Sequence, residues 1–187
     1  MKSDYRIRAA SFLKHIYPYL ANCNYKLSAI QRAVREYNAD HRRHVLIAHG
    51  MVRIALITSD YVIKFDYDAR QAEKFGGCED ELEFYNFAKE KGFSYLFAEI
   101  TKITIENHKF YIMPRIEDIG RDYDYVEDHL NENDYDFVNR YLYDMHNENY
   151  GWKDDYPVIV DYALNTFFCK RRDDKMHREK TATNSNL

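Results

Sequence analysis

The chain has 187 residues, of which 45% are hydrophobic and 31% charged, and its net charge is −4. That is long enough to bury a core and too apolar for a disordered chain, no apolar run reaches the roughly 18 residues of a membrane span, and the negative balance argues against nucleic acid as a partner. The charged N-terminus has no apolar signal-like region, and Cys23, Cys78 and Cys169 have neither metal-site nor CxxC spacing, so a cytoplasmic setting with reduced thiols is expected.

In chain order, Asp4–Leu20 predicts a helix from the spacing of Ile7, Phe12, Leu13, Ile16 and Leu20. Leu27–Tyr37 predicts a second, with Leu27, Ile30, Ala33 and Val34 on one face. The texture then becomes β-branched. Breaks at His49-Gly50 and Thr58-Ser59-Asp60 divide it into strands near Val45–Ala48, Val52–Ile57 and Tyr61–Phe65. One long helix is expected over Gln71–Lys91. Strands follow at Phe97–Ile105 and Lys109–Met113, joined by the turn Glu106-Asn107-His108. The segment Pro114–Gly120 marks a boundary, and the acidic run Asp122–Asp136 reads as a solvated face. Helix is expected at Tyr135–Tyr143, loop at Asp144–Asp155, a short buried strand at Val158–Val160, and a charged terminal helix that frays.

Four patterns carry chemistry. Gly50, in a strand turn, lets backbone approach a phosphate and leaves amides to bind it. Lys64 lies within an apolar strand, and an inward ammonium there needs an anion. The next helix offers Glu79, Glu81 and Glu83, and Glu81 has the best apolar flanks in Leu82 and Tyr85. Asp144 stands five residues before Asn149 in a loop after a helix, pairing a carboxylate able to accept a hydroxyl proton with a neutral oxygen donor for magnesium. Asp161 ends the run Val158-Ile159-Val160, where a desolvated carboxylate suits metal binding or the capping of a turn.

In this order the four patterns resemble the protein-kinase superfamily from about Val45 to Ala163. The run YDMHNENYGWKDDYPVIVDYA looks most like bacteriophage-encoded serine/threonine protein kinases. The resemblance implies an α+β, minimal bilobal fold: an N-terminal helical extension over 1–43, an antiparallel sheet lobe over 44–113, and a truncated, mainly helical lobe over 114–187. It implies ATP with Mg²⁺ or Mn²⁺, held by Gly50, Lys64, Glu81, the gatekeeper Met113 and the hinge residues Arg115 and Ile116, with the metal on Asn149 and Asp161. Asp144 would be the catalytic base and Lys64 would pair with the ATP phosphates and Glu81, while His146 would either contact the transferring phosphate or order the loop. The implied partner is a protein substrate, host transcription machinery among the candidates. Tyr162-Ala163 stands where Phe-Gly is usual, and few residues follow Asp161, so the usual activation segment is expected to be missing. That departure keeps a catalytically inactive binding protein as an alternative reading. The Asp-x-His form, shared with aminoglycoside kinases, keeps a small-molecule kinase as another.

Overall fold

The computed structural model describes residues 4–21, 23, 26–117, 123–143 and 145–184, the side chains of 123 and 176–184 excepted. Helix α1 (Tyr5–Leu20) begins where the Asp4 carboxylate accepts from the Arg6 amide. It buries Ala9, Leu13, Ile16 and Tyr17, and α2 (Leu27–His41) buries Ile30, Ala33, Val34 and Tyr37, each set on one helical face. These two faces cover one side of a five-stranded antiparallel sheet.

The strands are β1 (Leu46–His49), β2 (Arg53–Ile57), β3 (Tyr61–Asp66), β4 (Thr101–Ile105) and β5 (His108–Pro114), in the order β1-β2-β3-β5-β4. Alternation divides the side chains cleanly. Ile54, Leu56, Ile63, Phe65, Phe110 and Ile112 join the α1–α2 core, while Tyr111 and Met113 join a second core on the opposite face.

Between β3 and β4 the chain forms α3 (Ala69–Phe75) and α4 (Cys78–Glu90). The single helix expected over Gln71–Lys91 is thus two. Gly76 has φ of 86°, in the left-handed region, and an added Cβ would lie 2.9 Å from the Ala163 carbonyl oxygen. A Cβ on Gly77 would lie 2.7 Å from an Asp66 carboxylate oxygen. Gly76 therefore lets the chain pass against Ala163, and Gly77 lets the start of α4 lie against the end of β3, where Asp66 accepts from the Cys78 amide at 3.0 Å.

The strand expected from Phe97 begins only at Thr101, because the preceding residues turn toward the C-terminal half. The Ala98 amide donates to Ile159, and its carbonyl accepts from the Tyr162 hydroxyl. That half holds α5 (Tyr123–Glu127), α6 (Glu132–Tyr141), the hairpin β6 (Tyr150–Lys153) and β7 (Tyr156–Ile159), and α7 (Thr166–Asn184). Strand β6 lies where a loop was expected. Its tight turn runs through Asp154 and Asp155, both left-handed at φ of 53° and 61°, a hairpin geometry usually signalled by Asn-Gly. The architecture is α+β and bilobal: a sheet lobe carrying α4 over a smaller, largely helical lobe. Among the described residues, no helix is long and apolar enough to cross a membrane.

Candidate functional site

Lys64 lies on β3 with its side chain on the sheet face opposite α1 and α2. Its ammonium donates to Glu81 Oε1 at 2.9 Å and to the Val160 carbonyl at 2.6 Å. Glu81 sits on the first turn of α4 and is completely buried. The alternatives on that helix face elsewhere: Glu79 meets Lys102, Lys109 and Tyr111, and Glu83 meets Arg171. Burial raises the Glu81 carboxyl above its ordinary value, and the attraction of Lys64 and Arg53 offsets only part of that.

Arg53, at the start of β2, completes a charged quartet. One guanidinium nitrogen donates to Glu81 Oε1 at 2.9 Å, and the other reaches both Asp161 oxygens, at 2.8 and 2.9 Å. Asp161 follows directly after Val160, whose carbonyl accepts from the Lys64 ammonium. Burial pushes its carboxyl up, but Lys64 and Arg53 together outweigh that and hold it below its ordinary value. Its side chain remains 37% exposed, so solvent weakens these attractions.

The quartet borders a cavity of about 480 Å³ between the lobes. Gly50, Arg53, Lys64, His146, Asn149 and Asp161 all line it. Five sequence-predicted residues are therefore brought together, and Glu81 supports them from beneath. Asp144 lies outside the described residues. Met113, Arg115 and Ile116 do not line the cavity: Met113 is buried in the core at 2% exposure, and Ile116 packs against that same core. Arg115 turns back to the β2–β3 turn, where its amide donates to Asp60 and its guanidinium to Thr58. Nor is the Gly50 amide left for a phosphate, since it closes the hairpin onto the Arg53 carbonyl at 3.0 Å.

Two positions that shape the candidate site escaped the sequence reading. Arg53 sits two residues before Ala55, the cross-strand partner of Lys64, and so shares its face of the sheet; that register was the available signal. Asn165 is fully buried. Its amide nitrogen donates to the carbonyls of Asp80, Tyr162 and Ala163, while its oxygen accepts from the Phe167 and Phe168 amides. It caps α7 and ties the segment after Asp161 to α4. An Asn ahead of an apolar helical run was its signal.

Asn149 and Asp161 offer the hard oxygen donors that magnesium takes, so in kind they fit a divalent ion. Among the described residues, no group of three or more His, Cys, Asp or Glu side chains is placed to hold a metal. A sheet lysine paired with a buried helix glutamate, beside the Asp161 carboxylate, sets a fixed cation at the wall of the cavity.

No family model and no curated protein matches the chain. The solved structure of the streptomycin–ATP–APH(2″)-IIa ternary complex is similar at 16% identity and a TM-score of 0.31, over 55% of this chain. This chain spans 33% of that protein's length, a likeness too distant to argue from.

Proposed function

We propose that the inter-lobe cavity binds ATP and that the protein transfers its terminal phosphoryl group to the hydroxyl of a Ser or Thr side chain in a protein. The observation that carries this reading is the Lys64–Glu81 pair, buried at the wall of a cavity that Gly50, His146, Asn149 and Asp161 also line. A lysine held by a carboxylate is preorganised to meet phosphate oxygens, and phosphoryl transfer depends mainly on such positioning and charge. Divalent metal, held by Asn149 and Asp161, would neutralise phosphate charge. In this reading His146 faces the transferring group and Asp144 orients the acceptor hydroxyl.

Labelled ATP, offered with Mg²⁺ or Mn²⁺ and a protein mixture, tests the reading. Label should appear on Ser or Thr and should vanish in Asp144→Asn. Undiminished transfer by that variant would remove Asp144 from the mechanism, and transfer to aminoglycosides instead of protein would replace the acceptor class.

A second reading, nucleotide binding without turnover, is favoured by one observation: Arg53 engages both oxygens of Asp161. Under it, ATP raises the melting temperature because only the folded protein binds it, yet no label is transferred. No shift at millimolar ATP would defeat both readings.

A further inference from the structure

The carboxylate of Asp161 is a hard donor beside the inter-lobe cavity, yet both of its oxygens already accept from Arg53. Both accept from one Arg53 nitrogen, at 2.8 and 2.9 Å, while the other guanidinium nitrogen is anchored on the fully buried Glu81. Arg53 itself is mostly buried, with 21% of its side chain exposed. One guanidinium nitrogen straddling both carboxylate oxygens, with the second nitrogen fixed on Glu81, is a charge-assisted contact whose direction is set from two sides. It places positive charge between the two oxygens, where a divalent ion chelated by both would sit, and two cations cannot share that position without severe repulsion.

The neighbours sharpen the point. Lys64 is occupied by Glu81 and the Val160 carbonyl, so it does not compete for Asp161 by direct contact. Glu81 holds both cations and is itself out of reach of solvent. Arg53 alone among the described residues makes an ion pair with the Asp161 carboxylate.

We infer that Arg53 is a built-in competitor for the metal position at Asp161: a divalent cation enters only when the guanidinium swings off the carboxylate, so this residue sets how readily the cleft takes metal. Arg53 is thus a positioning residue that acts through Asp161. The metal's role in the cleft rests on the proposed nucleotide reading; the competition itself rests on the Arg53–Asp161 geometry.

The test is direct Mn²⁺ binding to the full chain without nucleotide, read from the free-ion electron paramagnetic resonance signal. Wild type should bind Mn²⁺ weakly. Arg53→Gln should lower the Kd tenfold or more, and adding Asp161→Asn to that variant should abolish the gain. Arg53→Lys keeps a cation beside Glu81 but has one nitrogen, so it cannot hold Glu81 and Asp161 from two separate nitrogens. It should give a smaller gain, and it decides the matter alone if the Gln variant does not fold by circular dichroism. Equal Kd values in wild type and variants, or a gain that survives Asp161→Asn, would overturn the inference. ATP binding by the same proteins is scored separately: failure there defeats the nucleotide reading and leaves the metal result standing.

Discussion

Two lysines reach from the sheet to glutamates on the same helix, and they live in different worlds. Lys64 meets Glu81 at 2.9 Å, with side chains 11% and 0% exposed; Lys102 meets Glu79 at 2.8 Å, with side chains 35% and 34% exposed. Distance does not separate them, but solvent does. In the outer cluster, Lys102, Lys109 and Tyr111 surround Glu79, and burial's upward push on its carboxyl is outweighed, leaving it below its ordinary value. In the inner cluster, burial wins over two cations and Glu81 is raised. One pair is surface charge arranged for convenience, whereas the other is held in place at a desolvation cost, which is what a site does and a surface need not.

Removing the cation from each pair should expose the contrast. Lys64→Met leaves a buried carboxylate with one cation fewer, and chemical denaturation should show a loss of about 3–5 kcal/mol. A loss below about 1 kcal/mol would mean that Glu81 is far more hydrated than its burial implies. The matching change outside, Lys102→Met, should cost about 0–1 kcal/mol, and that small cost should shrink further in high salt.

The smallest effect is in pH, and there the two carboxyls should slope in opposite directions. Glu79, held below its ordinary 4.5, contributes stability that is present above that value and is lost as pH falls through its folded value. Glu81, held above 4.5, contributes stability that is complete below that value and is lost as pH rises through its folded value. Lys64→Met should therefore recover part of its loss on acidification, whereas Lys102→Met should flatten the acid limb. Melting temperatures across about pH 3 to 7 would check both, and parallel curves for the two variants would erase the distinction.

The parts legible in the sequence were those that local chemistry decides. β-branched runs and their turns gave the sheet, because strand alternation and turn residues act over a few positions. Lys64 stood out because an ammonium in an apolar strand demands a partner, and the apolar flanks of Glu81 marked the inward face of α4. Arg53 did not stand out, because a charge at the start of a strand is usually solvated; only the cross-strand register reveals that it faces Asp161. The β6–β7 hairpin was hidden behind an Asp-Asp turn that lacks the usual glycine. The break at Gly76-Gly77 is written in the sequence, but the neighbours that demand it, Ala163 and Asp66, come from elsewhere in the chain.

Asn165 has a mechanical consequence. One side chain fastens the first turn of α7 to the Asp80 carbonyl on the first turn of α4, 85 residues away. Two helix starts are thereby knotted into a single cooperative joint, and amide hydrogens at Phe167 and Phe168 should exchange in step with those beside Glu81.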